Sequence, residues 1–319
     1  MIDAIRTPDE RFGSIDWPFA PHYLTHPDGL RQHFIDEAPE GDSRGTFLLL
    51  HGEPTWAYLY RDWIGPLTSL GYRVVAPDHL GFGRSDKPTE DRWYTIAAHR
   101  RALEGLIAHL DLDGIHLVVQ DWGGPIGLCT AVADPARYAR LFILNTWLHD
   151  DTYAYGDGIR RWRQAATDPE QLGGDMPVGN IVARSMRRQG HDIDRLREAF
   201  DAPFVDATSK AGARRFPYCI PFAEPELGDA DAQAKAREIP RSSWPTPVHL
   251  AFGDADDVFP WEWAEQWAGE IPGATLDRIA GAGHFVQADA ASDCLGVIAR
   301  YLDPNSPRPD DPARDEHHA

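Results

Sequence analysis

Short continuous apolar runs alternate with longer segments of mixed polarity along this chain. The runs Thr46 to His51, Arg73 to Pro77, Ile115 to Gln120 and Arg140 to Asn145 have no polar face of their own. Strands of that kind belong to a parallel sheet covered on both sides. Between them, Tyr94 to Leu110 has helical spacing, and Pro125 to Ala133 reads as a second helix. Tyr23 to Glu37 predicts two short strands around the Pro27-Asp28-Gly29 turn. Residues 1–20 are mixed and predict an irregular arm.

The rhythm breaks between about residues 150 and 228. This stretch is polar, helical in tendency and rich in Trp, Arg, Asp and Gly, with no buried strand. Strand-like runs return at Pro247 to Phe252 and at Thr275 to Ile279. The pattern predicts an α/β core over residues 1–149 and 229–303, with a helical cap inserted at 150–228. Such an insert lies over the C-terminal ends of the strands, where α/β sheets place their sites. The last stretch, residues 304–319, holds Pro304, Pro307, Pro309 and Pro312 among many charges and predicts a flexible tail.

Charge narrows the partners. The net charge of -19 argues against nucleic acid and anionic membranes, whose binders are usually basic. Cys129, Cys219 and Cys294 are too far apart for a disulfide framework or a metal-ligand cluster. The N-terminus has no apolar signal core, and no run approaches the roughly 18 apolar residues of a membrane span. These features predict a cytoplasmic enzyme, with a monomer as the default state.

The chemistry begins where an apolar run ends in an acid followed by glycines, Val118-Val119-Gln120-Asp121-Trp122-Gly123-Gly124. In the α/β-hydrolase fold this strand–turn–helix carries the nucleophile on a sharp elbow, usually as G-x-S-x-G. A carboxylate stands here in the place of serine. It can attack a saturated carbon with no proton to remove first. Gly253-Asp254-Ala255-Asp256-Asp257 follows one later strand, and Gly281-Ala282-Gly283-His284 follows the next. The order nucleophile, acid, histidine is that of this fold. A catalytic histidine needs a carboxylate on Nδ1 to fix its tautomer. Asp254, Asp256 and Asp257 compete for that place. Asp256 is favoured because it stands three residues after Gly253, where this fold usually carries its acid. Taken alone, Asp121 would read as a helix cap and His284 as a loop histidine. The ordered set at strand ends is what argues for chemistry. The loop His51-Gly52-Glu53-Pro54-Thr55-Trp56 predicts an oxyanion hole from the backbone N–H groups of Glu53 and Trp122. The Glu53 side chain reads as a solvated or paired loop acid.

His51-Gly52-Glu53-Pro54-Thr55-Trp56, Pro77-Asp78-His79-Leu80-Gly81-Phe82-Gly83-Arg84-Ser85-Asp86-Lys87-Pro88, Gln120-Asp121-Trp122-Gly123-Gly124 and Gly283-His284-Phe285 together resemble the haloalkane dehalogenases. The resemblance covers about residues 1–303. Asp201-Ala202-Pro203-Phe204 with Arg215-Phe216-Pro217 is similar to the branch with two halide-binding tryptophans. The resemblance implies that Asp121 displaces halide to form an alkyl ester. His284, backed by Asp256, then activates water to hydrolyse it to a primary alcohol. It implies halide binding by Trp122 and by a cap tryptophan. Trp162-Arg163-Gln164 matches the family segment, and Trp147 is a weaker rival. Extra residues near Gln171-Leu172-Gly173-Gly174 make the cap longer than the family pattern. The implied partners are a small halogenated alkane and the halide ion, and no metal or organic cofactor is called for. Val258, Phe259 and Pro125 are candidates for the pocket wall.

Two other readings compete. An epoxide hydrolase would share Asp121, Asp256 and His284 but would use paired cap tyrosines, for which Tyr153, Tyr155 and Tyr218 are available. Its relatives tend to carry an aromatic residue in place of Glu53. A non-catalytic ligand-binding module of this fold would be expected to lack one of the three.

Overall fold

The computed structural model describes residues 2–150, 152–222, 224–242 and 244–303. The predicted tail at 304–319 lies outside them. Ten strands follow in chain order: β1 (Ala4–Ile5), β2 (His22–Thr25), β3 (Arg31–Glu37), β4 (Thr46–Leu50), β5 (Arg73–Pro77), β6 (Lys87–Pro88), β7 (Ile115–Gln120), β8 (Tyr138–Leu144), β9 (Val248–Gly253) and β10 (Thr275–Ile279). Eight of them form one sheet in the order β10-β9-β8-β7-β4-β5-β3-β2. The pairs from β10 across to β5 are parallel, and β3 and β2 complete the edge antiparallel.

Every residue of β4, β7 and β9 is buried. That burial on both faces is why these strands read as unbroken apolar runs. Each fully buried Leu, Val or Phe contributes roughly 1.5–3 kcal/mol relative to exposure. The predicted hairpin is β2–β3, with His22 opposite Phe34. The N-terminal arm is less irregular than its sequence suggests, because β1 pairs antiparallel with β6.

The helices are α1 (Ile64–Ser69), α2 (Ile96–His109), α3 (Gly123–Ala133), α4 (Asp157–Thr167), α5 (Val178–Ser185), α6 (Ile193–Asp201), α7 (Ala211–Arg215), α8 (Ala230–Ser242), α9 (Trp261–Glu270), α10 (Val286–Asp289) and α11 (Ala291–Leu302). Thr95 caps α2 by accepting from Ala98 N. Helix α3 is buried along most of its length, between β7 and α8. Helices α4 to α7 lie in the chain between β8 and β9, and no strand interrupts them among the described residues.

A buried cation marks where this helical insertion leaves and rejoins the sheet. Arg237 of α8 is fully buried. It pairs with Asp150 at 2.8 Å and with Glu270 of α9 at 2.9 Å, and it stacks 4.4 Å from the Trp263 ring. Arg241 pairs with the same two acids, so the buried charges form one network. Among the described residues no helix is long and apolar enough to cross a membrane. Cys129, Cys219 and Cys294 are free and buried.

Candidate active site

The elbow between β7 and α3 holds Asp121 at φ 49°, in the left-handed region that non-glycine residues rarely adopt. The chain can turn that tightly because the two residues after Trp122 have no side chains. A Cβ on Gly123 would lie 2.5 Å from Leu50 O, and one on Gly124 would lie 2.0 Å from Thr146 Oγ1. The strained residue is held at both ends. Asp121 N donates to Asn145 O at 3.0 Å, and Thr146 Oγ1 donates to Asp121 O at 2.5 Å.

Beyond the ends of β9 and β10 the acid and the histidine meet. His284 Nδ1 lies 3.0 Å from Asp256 Oδ2, and His284 Nε2 lies 3.6 Å from Asp121 Oδ2. Of the three competing acids, only Asp256 faces the imidazole. Asp254 pairs with Arg278 and accepts from Gly281 N. Asp257 is exposed and pairs with Arg187. Asp256 is fixed by Asn145 Nδ2 at 2.9 Å and by Val258 N at 2.7 Å. Asn145 Oδ1 accepts from Gly253 N, so this one side chain aligns the acid with the end of its own strand. Burial alone would push the imidazole down, but the carboxylates of Asp256 and Asp121 outweigh it and hold the His284 pKa at about 10. The two carboxylates thus favour the protonated imidazole.

The loop after β4 supplies the next donor. Glu53 N donates to Asp121 Oδ1 at 2.8 Å. Gly52 permits the approach, since a Cβ there would meet Asp121 Oδ1 at 2.2 Å. The Pro77–Pro88 motif supports this loop from below and takes no part in the cavity. Asp78 accepts from Ala57 N, Arg84 N and His33 Nδ1, and His79 N donates to His51 Nε2.

The Glu53 side chain departs from the sequence expectation. It is neither solvated nor paired: it is buried, and its Oε1 has no hydrogen-bond partner. Burial, and then the charge of Asp121, raise its pKa well above the carboxylate range.

A cavity of about 100 Å³ lies above the elbow, lined by Glu53, Asp121, His284, Trp162, Ile181 and Ser185, with Pro54, Val258 and Phe285 beside them. A larger open cleft of about 420 Å³ runs past Trp17, Tyr58 and Arg195, but it holds none of the predicted site residues. Trp162 of α4 thus reaches the cavity wall. Trp122 is not on that wall. It is 2% exposed and packs edge-on against Trp147 and Phe216. No acceptor for either the Trp122 or the Trp162 indole N–H appears among the described residues. Trp147 is fully buried, stacks on Phe259, and its indole sits beside the Tyr155 hydroxyl. It is absent from the cavity, as are Phe259 and Pro125.

The cap tyrosines required by an epoxide hydrolase are engaged elsewhere. The Tyr155 hydroxyl lies 2.7 Å from His149 Nδ1, and Tyr218 donates to Thr167 O. Tyr153 packs against Tyr155 and Trp263. None of the three lines the cavity. Sequence reasoning did not find Asn145, Ile181 or Ser185. Asn145 ends a strand, where a buried amide could have been suspected, but the two insert residues carry no signal of their own.

The chain is similar to known proteins over most of its length. The family profile described as alpha/beta hydrolase fold matches residues 45–291. The chain is 39% identical to a haloalkane dehalogenase of Mycolicibacterium paratuberculosis, and 36% identical to one of Psychrobacter cryohalolentis. Each match covers 94% of this chain and 98% of the relative. The tetrameric haloalkane dehalogenase of Paraglaciecola agarilytica superposes with a TM-score of 0.85 at 37% identity, over 93% of this chain and 98% of that one.

Proposed function

The chain belongs to the haloalkane dehalogenases of the α/β-hydrolase fold, and from that premise we propose how its residues divide the hydrolysis of a carbon–halogen bond. The Asp121 carboxylate attacks the carbon in line. The carbon–halogen bond breaks, its electron pair leaves with the halide, and an alkyl ester of Asp121 remains. Inside a cavity of about 100 Å³ the carboxylate is little solvated, which raises its reactivity. The departing charge is received by the indole N–H groups of Trp162, on the cavity wall, and Trp122, beside the nucleophile. Neither donor is spent on a protein acceptor among the described residues. If each resembles an oxyanion-hole donor, it contributes about 2–4 kcal/mol.

The second step follows from the first through charge. While Asp121 is ionised, it and Asp256 together keep His284 protonated. Esterification removes the charge of Asp121, so one of the two carboxylates holding the proton is gone. The imidazole pKa falls, its proton passes to solvent, and His284 becomes a base at the moment one is needed. It draws a proton from water as the water attacks the ester carbonyl. The oxyanion is held by Glu53 N–H and Trp122 N–H. Collapse expels the alcohol, which takes the proton from His284, and the Asp121 carboxyl left behind passes its remaining proton to the imidazole as it regains its charge.

The observation that carries this reading is the 3.0 Å and 3.6 Å placement of one imidazole between two carboxylates. The helical insertion at 150–228 serves as the cap, because Trp162, Ile181 and Ser185 close the cavity from it. We read the protein as a cytoplasmic monomer. Among the described residues only Leu70 and Val205 are large apolar side chains left exposed, too few for an obligate interface. The Paraglaciecola tetramer makes light scattering the check on that point.

His284→Gln tests the assignment. Carboxylate attack needs no base, so this variant should release about one halide per site and stop. Mass spectrometry should then show an alkyl group on Asp121. Sustained turnover in His284→Gln would show that the histidine is not the base that activates water.

A further inference from the structure

The loop that carries His284 is fastened by a residue outside the triad. Asp289, in the short helix α10, has a side chain with no exposure. Its Oδ2 accepts from Gly283 N at 2.7 Å, immediately before the histidine, and from Arg187 N at 3.0 Å. Its Oδ1 accepts from Arg188 N at 3.0 Å and lies 2.8 Å from His191 Nε2. Four donors on two oxygens fill the capacity of a carboxylate.

Three of those donors belong to the segment that leaves α5, the helix that brings Ile181 and Ser185 to the cavity. The histidine loop and this segment touch at the backbone: a Cβ on Gly283 would lie 2.5 Å from Ser185 O. Neighbouring ties run the same way. Arg188 donates to Ala280 O at 2.8 Å and pairs with Asp293, and Arg187 pairs with Asp257, next to the acid Asp256.

We infer that Asp289 is a positioning residue that joins the histidine loop to the cap wall, so that one buried carboxylate sets both the water-activating imidazole and the cavity's far side. Asp289 is absent from the lining of the active-site cavity, so it acts through Gly283 and through Arg187, Arg188 and His191. The inference rests on the role proposed above for His284.

Asp289→Asn tests it with little change of shape. One acceptor oxygen becomes an NH₂ group, which faces two N–H donors and can accept from neither. In protein that remains folded by circular dichroism, hydrolysis of the alkyl-enzyme should slow by about tenfold to a hundredfold, the scale of misplacing a reacting group. The first halide should still appear as a burst, with ester accumulating on Asp121, and the substrate concentration that half-saturates the burst rate should rise. His191→Ala removes a donor on the cap side alone. It should raise KM by about threefold or more while the hydrolysis rate constant stays within about twofold, and His191→Gln, which keeps an N–H donor, should restore KM.

A folded Asp289→Asn with hydrolysis and the half-saturating concentration of the burst within about twofold of wild type would overturn the inference. So would equal slowing of alkylation and hydrolysis, which would mean general loosening. If Asp289→Asn does not fold, the His191 pair decides, and an unchanged KM in His191→Ala overturns it. His284→Gln run in parallel separates the two readings. If it accumulates ester and Asp289→Asn does not, only the positioning role of Asp289 fails. If it accumulates none, the histidine role fails first.

Discussion

The two walls of the cavity are built on different principles. The sheet-borne wall is held atom by atom. Asp121 is fixed at its N, its O and its Oδ1, and Asp256 is fixed at both oxygens. Glycines let backbone approach within distances that any side chain would block. The insert-borne wall presents Trp162, Ile181 and Ser185 from α4 and α5, and its polar anchors lie behind the surface, at Arg187, Arg188 and His191. Ser185 spends its hydroxyl on Ile181 O within its own helix. A wall fixed by directional bonds can hold reacting atoms in line, whereas one set by packing decides which molecules fit. On this comparison, bond-breaking power lies in the core and discrimination between substrates lies in the insertion.

The comparison breaks most severely at Asp121. Asp121→Ala should bring halide release below about one hundredth of wild type in folded protein, because the attacking carboxylate is gone. Appreciable turnover would place the nucleophile elsewhere.

A smaller loss is expected from the insert side. Trp162→Phe keeps the ring and removes the N–H, and it should slow dehalogenation by about tenfold to several hundredfold. Added bromide should then perturb tryptophan fluorescence less than in wild type, although eleven tryptophans dilute the signal. Unchanged kinetics would show that the cap wall supplies shape alone.

The smallest effect is expected at Glu53, where the backbone acts and the side chain only fills space. Burial and the charge of Asp121 raise its pKa and so favour the neutral form that glutamine imitates, and Glu53→Gln should change the rate near neutral pH by less than about threefold. As pH rises through that pKa, wild type gains a second negative charge beside Asp121, which opposes halide departure. Wild type should therefore lose activity on the alkaline side, and Glu53→Gln should lose less of it. A pH–rate profile of the two proteins checks the sign.

The same contrast explains what could be read from the sequence. Strands β4, β7 and β9 are buried on both faces, so their apolar runs are unambiguous, and the chemical residues stand at their ends. The elbow was legible because an acid between a buried strand and paired glycines has few other uses. Choosing Asp256 over Asp254 and Asp257 needed geometry, since all three follow the same strand. The insertion was legible only as a block. Its helices are short, and their polar faces serve partners distant in sequence, as Arg188 does at Ala280 and Asp293. Helix α9 at Trp261–Glu270 escaped the strand-by-strand reading, and so did the burial of Glu53, because burial depends on residues far along the chain. Asp289 carries no local mark at all, as three of its four donors lie about a hundred residues earlier.

The central claim is that water attacks the enzyme's ester and never the substrate carbon. A single turnover in oxygen-18 water tests it directly. The label should appear in the Asp121 carboxylate, because the attacking oxygen stays with the enzyme while the alcohol leaves with an oxygen from Asp121. Label found in the first alcohol released, with none in Asp121, would show that Asp121 is a general base and that no covalent intermediate forms.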